Sequence, residues 1–177
     1  MSGVEETRID LSPFSLTDAS GLFLIRGDEE AMRHWDWPAD KTLDETRRAA
    51  EHMLRDVETG TARYWTVRTS ETRLFIGVVD LSEIDGRSAD LGFMICRDHW
   101  GRGFAFGAAA LAVLNGWAMG LGEIRARIHA DNARSRRLLA RLAFSFKEMR
   151  DVEIRPGVVK ACEFYALRRQ GSSSLSQ

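Results

Sequence analysis

Two glycines one residue apart, Gly101 and Gly103, stand between a predicted strand and a predicted helix. Glycine lets the backbone turn tightly and leaves room for a ligand against it. The amides at Phe104 and Ala105 would then begin the helix without intrahelical partners, and with the helix dipole they can bind a phosphate. Arg102 can add a charge-assisted contact. The spacing matches neither a P-loop nor a dinucleotide fingerprint, and an empty strand-to-helix turn is the alternative.

A second polar segment, residues 132–135, lies about 30 residues further along the chain. It falls at the end of a predicted strand and the start of a predicted helix. In one interpretation, Asp131 or Asn132 simply caps that helix. In the other, Asn132 and Ser135 face a groove shared with the glycine loop. The residues alone leave both interpretations open.

The elements that must position these segments follow from hydrophobic periodicity and capping signals. Thr42 and Glu45 form a capping-box start, and the run of three β segments after it is typical of an antiparallel meander. We predict a mixed α/β domain over residues 1–170 and a flexible Ser-rich tail over 171–177. The predicted strands are 8–14, 63–69, 74–81, 89–96, 124–130, 144–149 and 158–167, and the predicted helices are 19–26, 29–35, 42–58, 102–119 and 132–142.

The composition excludes several classes of protein. The chain has 177 residues, of which 44% are hydrophobic and 29% charged, which is ordinary for a soluble globular domain. No apolar run approaches the roughly 20 residues of a membrane span, and the acidic first ten residues do not resemble a signal peptide. Cys96 and Cys162 are expected to be buried, reduced thiols in a cytoplasmic protein. The four histidines and two cysteines lack metal-ligand spacing, so we predict no metal.

Charge is distributed unevenly along the chain. Residues 1–60 hold 14 acidic and 7 basic side chains, a net of −7, whereas residues 121–150 hold 3 acidic and 8 basic ones, a net of +5. This asymmetry suggests an anionic ligand on the second half and a cationic partner on the first, with scattered solvated charge as the alternative. We expect no nucleic-acid partner, because no basic stripe with interleaved aromatic residues is present.

Taken together, the two segments resemble the GNAT acetyltransferases, in particular the RimJ/RimL-type ribosomal-protein-alanine N-acetyltransferases. The resemblance lies in Trp100-Gly101-Arg102-Gly103-Phe104-Ala105, followed by a helix, a strand, Asn132-x-x-Ser135 and a further helix. It extends to the N-terminal part through residues 9–14, Met32 and Trp35, and covers about residues 6–168. It implies the GNAT fold, an α+β arrangement with a mostly antiparallel, splayed central sheet flanked by helices.

The resemblance also implies that acetyl-CoA is the co-substrate. The loop at 101–104 would bind its pyrophosphate, and strand 89–96 would pair its backbone with the pantetheine arm. Asn132 would hydrogen-bond the pantetheine, and Arg134, Arg136 or Arg137 could reach the 3′-phosphate. The residues implied to bind acetyl-CoA are Phe93, Met94, Ile95, Arg97, Gly101, Arg102, Gly103, Phe104, Ala105, Asn132, Ser135 and Arg137.

The implied reaction is direct attack of an amine on the thioester, with Ser135 protonating the leaving thiolate. Asp90 and Glu163 are candidates for the base that takes the proton of the amine, and solvent-facing strand carboxylates are the alternative for each. Trp35 and Trp37 could wall the acceptor pocket, with core packing as the equal alternative.

Three residues depart from the family pattern. Asp98 stands where GNAT proteins often carry glutamine or arginine, and the neighbouring Arg97 could substitute for it. Gly107 stands where this branch often carries a helix glutamate. Ala143 stands where the family has a glycine, and a left-handed Ala143 would cost about 1 kcal/mol.

We predict an N-acetyltransferase, monomeric or homodimeric, that acts on the N-terminal α-amine of a basic protein such as a ribosomal protein. An aminoglycoside, polyamine or aminoacyl acceptor is the first alternative. A non-catalytic acyl-CoA-binding domain is the second.

Overall fold

The structure, a computed structural model, describes residues 8–169. Within this part of the chain, seven strands form one sheet in the order β1-β2-β3-β4-β5-β7-β6. All neighbouring strands are antiparallel except β4 and β5, so the predicted mostly antiparallel sheet is confirmed. The strands are β1 Ile9–Pro13, β2 Arg63–Thr69, β3 Phe75–Asp85, β4 Ser88–Ile95, β5 Glu123–His129, β6 Ser145–Arg155 and β7 Val158–Arg168.

Within the described residues, three of the five helices begin at a residue whose side chain caps the helix. Thr42 accepts from the backbone N–H of Glu45, and Asn132 accepts from that of Ser135, as N-caps should. Asp28 accepts from two backbone amides at the start of the second helix. The helices are α1 Ala19–Arg26, α2 Glu29–Met32, α3 Leu43–Glu58, α4 Phe104–Ala118 and α5 Ala133–Arg141.

Three predicted ends of helices and strands were wrong. The two strand ends were missed because polarity is a poor guide to backbone pairing at exposed edges. The helix predicted to reach residue 35 ends at Met32. β3 runs on to Asp85 and pairs there with Ser88, although its last four residues are partly or fully exposed. β6 extends to Arg155 as an edge strand that pairs with β7, and its side chains are mostly exposed on both faces.

Helices pack on both faces of the sheet. Consecutive residues of β3 separate the two layers, because side chains alternate across a strand. Val79 belongs to the larger core, which α4 covers with Ala108, Ala109 and Ala112. Val78 belongs to a smaller core under α1 and α3 that also contains Phe14, Leu22 and Ala50. The sheet is therefore held rigidly through its centre at β3.

The pairing of β4 with β5 stops early. These strands are neighbours only from Ser88 to Asp90 and from Glu123 to Arg125. Beyond Asp90, β4 continues with β3 up to Ile95, while β5 continues with β7 up to His129. A wedge-shaped gap therefore opens between the two strands, which confirms the predicted splay.

The structure also bears on the predictions about membrane spans and the two cysteines. No helix among residues 8–169 is long and apolar enough to cross a membrane. Cys96 and Cys162 are both buried free thiols, and burial raises the pKa of Cys96 to about 11. The predicted tail at 171–177 lies outside the described residues, and the cytoplasmic location stays a prediction.

Ala143 adopts the left-handed conformation expected from its place after α5, with φ of 62°. Glycine has no Cβ penalty there, so we expect Ala143→Gly to raise the free energy of unfolding by about 1 kcal/mol. The matched control, Ala140→Gly inside α5, should lower it by a similar amount because glycine is a poor helix former. Urea unfolding of both variants checks the prediction, and a destabilised Ala143→Gly protein would contradict it.

Candidate active site

The gap between β4 and β5 forms the mouth of a cleft of about 980 Å³. Three parts of the chain that are distant in sequence line it: the end of β4, the first turn of α4 and the first two turns of α5. A fourth wall comes from residues 30–35, at and beyond α2. The predicted cofactor residues among its lining are Phe93, Met94, Ile95, Gly101, Gly103, Phe104, Ala105, Asn132, Ser135 and Arg137.

The glycine loop has the geometry that its sequence predicts. Gly101 has φ of 75° and Gly103, the N-cap of α4, has φ of 82°, in the region that favours glycine. The indole N–H of Trp100 donates to the carbonyl of Ile95 at 2.7 Å and so fastens the loop to the end of β4. The first-turn amides of α4 consequently border the cleft, where their N–H groups can donate hydrogen bonds to a bound anion.

Asn132 and Ser135 satisfy both interpretations left open by the sequence. The Oδ1 atom of Asn132 accepts from the backbone N–H of Ser135 at 3.1 Å, which is the capping role. Both residues also line the cleft, and Ser135 is buried. Capping therefore fixes the position of these two side chains opposite the glycine loop.

The arginines of α5 divide between two faces. Arg134 stacks over the ring of Trp100 at 4.5 Å, Arg141 stacks over Phe106 at 4.1 Å, and Arg137 lines the cleft between them. Arg136 turns away and pairs with Glu163. The sequence analysis missed Arg141, although its position four residues after Arg137 places both on one helix face.

Arg97 and Arg102 do not appear among the residues that line the cleft. The Nε atom of Arg97 lies 3.1 Å from the carboxylate of Asp28, and so this side chain joins β4 to the start of α2. The guanidinium of Arg102 sits 5.1 Å above the ring of Phe104. Of the predicted charged cofactor ligands, the structure thus brings Arg134 and Arg137 into the cleft lining.

The structure gives neither proposed base a place in the cleft lining. Asp90 lies at the apex of the gap and accepts from Arg125 at 2.6 Å. Glu163 accepts two hydrogen bonds from Arg136, at 2.7 and 2.9 Å, and one from Tyr165 at 2.7 Å. The bonds from Arg136 hold the pKa of Glu163 below its ordinary value. A carboxylate so stabilised as an anion is a weak base.

The two tryptophans occupy different places. Trp35 lines the cleft, and it also lines a smaller pocket of about 250 Å³ beside it. Trp37 is 58% exposed and lines only the smaller pocket. Gly107, where the family glutamate is missing, faces β1, because a Cβ there would contact Ile9 at 3.4 Å.

A histidine–carboxylate network, not foreseen from the sequence, contributes His34 and Asp131 to the cleft lining beside Trp35. His34 lies 3.2 Å from the carboxylate of Asp131, and His129 lies 3.3 Å from that of Asp36. One ligand atom from each of His34, His129 and Asp131 lies within 4.8 Å of the others. Long-range folding assembles this group, which sequence spacing could not reveal. The prediction of no metal is untested.

The apex of the gap also contains a buried carboxyl group. Asp80 is buried on β3 opposite Gly92 of β4, where a Cβ would stand only 2.3 Å from its Oδ1 atom. Glycine at position 92 therefore makes room for the carboxyl. Burial is the main cause that raises the pKa of Asp80 to about 7, and the nearby charge of Asp90 contributes a smaller part of that rise.

A family model described as the acetyltransferase (GNAT) domain matches residues 8–145. The chain belongs to the GNAT acetyltransferase family. In sequence it is 28% identical over 170 residues to the uncharacterized N-acetyltransferase p20 of Bacillus licheniformis, covering 92% of this chain and 94% of that protein. It is accordingly an N-acetyltransferase by family.

Solved structures share its fold at low identity. The spermidine N-acetyltransferase of Vibrio cholerae, in complex with CoA and spermine, has a TM-score of 0.80 at 19% identity and covers 92% of this chain and 96% of its own. The Salmonella typhimurium enzyme that modifies the N-terminal serine of ribosomal protein L7/L12 has 0.80 at 16%, with 95% and 98% covered. The microcin C7 self-immunity acetyltransferase, with acetyl-CoA and AMP, has 0.80 at 19%, with 94% of both chains covered. Three enzymes whose names give different substrates thus resemble this chain equally well in fold, so the fold does not determine the substrate class.

The raised pKa of Asp80 makes stability depend on pH. Between about pH 4 and pH 7 the folded protein keeps a proton that the unfolded chain has released, so this group's contribution falls as pH rises through that window. Asparagine does not titrate. We expect the stability of Asp80→Asn relative to the natural protein to rise by on the order of 2 kcal/mol from pH 5 to pH 7.5. Urea unfolding at several pH values checks this, and parallel curves for the two proteins would contradict it.

Proposed function

We propose that this GNAT domain transfers the acetyl group of acetyl-CoA to a primary amine, with the α-amine of a protein N-terminus as the favoured acceptor. The observation that carries the proposal is the cleft between the separated edges of β4 and β5, with the N-terminal turns of α4 and α5 on its walls. Similar structures contain CoA or acetyl-CoA, which supports the same co-substrate here.

The cofactor would lie along the free edge of β4. After Asp90 this edge has no strand partner among residues 8–169, so the backbone of residues 93–95 can pair with the pantetheine amides as an added strand would. The amides of the first turn of α4 would bind the pyrophosphate. Arg137 and Arg141, on one face of α5, would meet the 3′-phosphate.

The proposed chemistry is a direct transfer. The amine nitrogen attacks the thioester carbonyl, the new C–N bond forms and the C–S bond breaks. The nitrogen loses one proton, which passes through water and restores the Ser135 hydroxyl after the transfer. Backbone amides near Met94 and Ile95 would stabilise the oxyanion. The buried hydroxyl of Ser135 would give its proton to the leaving thiolate.

The acceptor end of the cleft favours an amine that does not carry several positive charges. Across this end and the adjoining small pocket, three acidic side chains are balanced by three basic ones. The acidic ones are Glu29, Glu30 and Asp131, and the basic ones are Arg33, Lys41 and Arg155. A polyamine would need an excess of acidic groups to replace its water. A peptide N-terminus presents one amine on a long neutral backbone, which suits this balanced lining.

The small pocket supports a second candidate, an aminoacyl compound with an aromatic, anionic part such as a nucleotide. Trp35 and Trp37 offer flat faces, while Arg33 and Arg155 offer positive charge. Lys41 in the same pocket is paired with Glu29 at 3.2 Å. Within residues 8–169, the Nε atom of Arg155 is buried without a hydrogen-bond partner. AMP in the complex of the microcin acetyltransferase is consistent with such an acceptor.

Titration calorimetry with acetyl-CoA tests the cofactor site. We expect Asn132→Asp to weaken binding about tenfold, as one lost hydrogen bond would, while it keeps the cap of α5 and the melting temperature. The natural protein should bind dephospho-CoA more weakly than CoA, and Arg137→Gln/Arg141→Gln should remove that difference. The matched control is Arg136→Gln, whose side chain points toward Glu163. A folded protein that binds no acetyl-CoA would overturn the proposal.

Thiol release from acetyl-CoA with a set of amines identifies the acceptor class. We expect turnover with a serine-led peptide and none with the same peptide blocked at its N-terminus. Spermidine should be a poor acceptor because of the balanced charge at this end of the cleft. Preference for an aminoacyl nucleotide would establish the second candidate, and Trp37→Ala should then raise its KM. Binding of acetyl-CoA without thiol release from any amine would indicate a non-catalytic binding domain.

A further inference from the structure

The cleft contains a basic group that the family resemblance does not assign. His34 follows α2, is partly buried, and lines the cleft together with Trp35. Its Nδ1 atom lies 3.2 Å from Oδ1 of Asp131, the residue directly before Asn132. The imidazole therefore stands at the acceptor end of the cleft, next to the residue proposed to hold the pantetheine.

The carboxylate of Asp131 determines which ring nitrogen of His34 is free to accept a proton. A carboxylate accepts hydrogen bonds and cannot donate them, so it favours the tautomer with the proton on Nδ1. In neutral imidazole the other nitrogen, Nε2, is then an acceptor. A base oriented by a neighbouring carboxylate is the arrangement used to activate a nucleophile.

We propose that His34 is the general base of the acetyl transfer and that Asp131 is its positioning residue. This inference rests on the proposed acetyltransferase function. When the amine nitrogen bonds to the thioester carbon, it becomes positively charged and passes one proton to Nε2 of His34. The C–S bond then breaks and the thiolate takes a proton from Ser135. The proton held by the imidazolium returns through water to the Ser135 oxygen.

The surroundings of His34 are consistent with this role. From β5, His129 packs edge-on against its ring, with centroids 6.2 Å apart, and His129 is itself bonded to Asp36. Arg127 pairs with the same carboxylate of Asp36. On the side of α2, Glu30 and Arg33 lie 3.6 Å apart. The second histidine and Asp36 thus form a separate pair, which leaves Asp131 to His34.

The other carboxylates fit the role of general base less well than His34 does. Asp90 and Glu163 are each held by an arginine and do not line the cleft. Asp80 is buried within the sheet. Among the carboxylates that line the cleft, Glu30 is close to Arg33, and Asp131 is mostly exposed to water. His34 lines the cleft and has a ring nitrogen that can accept a proton.

The pH dependence of kcat/KM with the serine-led peptide and acetyl-CoA tests the assignment. We expect His34→Gln to lower kcat at least 100-fold, to leave the Kd of acetyl-CoA unchanged and to remove the rising limb of the profile at acidic pH. Asp131→Asn should lower kcat about tenfold with little change in KM, because its amide favours the wrong tautomer. The control, His52→Gln on the exposed side of α3, should match the natural protein in every measurement.

NMR of the natural protein gives a result that does not depend on a variant or on turnover. Nitrogen-15 shifts of His34 should indicate the Nδ1–H tautomer at high pH, and Asp131→Asn should change it. An Nε2–H tautomer, or full activity of a folded His34→Gln protein with an unchanged pH profile, would overturn the inference. Failure to bind acetyl-CoA would instead overturn the proposed function, so the two failures are distinguishable.

Discussion

β4 and β5 are parallel neighbours over three residue pairs only, and everything that can act chemically depends on the place where this pairing ends. A continuous sheet would satisfy the inner edges of both strands with each other. Since the strands diverge after Asp90 and Arg125, β4 keeps a free edge, and the first turns of α4 and α5 come to face one cleft. The ion pair between these two side chains stands at the point of divergence.

The divergence persists because each strand is held on its other side. β4 is paired to β3 up to Ile95, and β5 is paired to β7 up to His129. The indole N–H of Trp100 then donates a hydrogen bond to the carbonyl of Ile95 at the end of β4, and Arg134 of α5 stacks on that indole. The aromatic ring thus connects the glycine loop to α5, so the walls of the cleft are fixed relative to each other before any ligand binds. Such preorganisation lowers the entropic cost of binding.

How much of the site the sequence predicts depends on the range of the interactions concerned. Gly101, Gly103 and Asn132 could be identified because a turn and a helix cap restrict residue type locally. The positions of Asp90 and Glu163 could not, since each depends on an arginine from another element. The pairing of His34 with Asp131 joins the end of a short helix to the end of β5, and no local pattern records it. The polar outer halves of β3 and β6 were missed for a related reason, because edge pairing does not require apolar side chains.

In the folded protein, ion pairs neutralise part of the uneven charge of the chain. Several carboxylates of the acidic first 60 residues pair with arginines rather than facing a partner: Asp18 with Arg68, Asp28 with Arg97, Asp36 with Arg127 and Asp40 with Arg26. Two of these pairs join the acidic half to residues beyond position 90. Part of the asymmetry is thus neutralised within the molecule, and this part does not attract a basic protein over a long range. Selection of the acceptor must then rest on short-range contacts around Trp35 and His34. There an amine is accepted only if it can both reach the thioester and give up its proton.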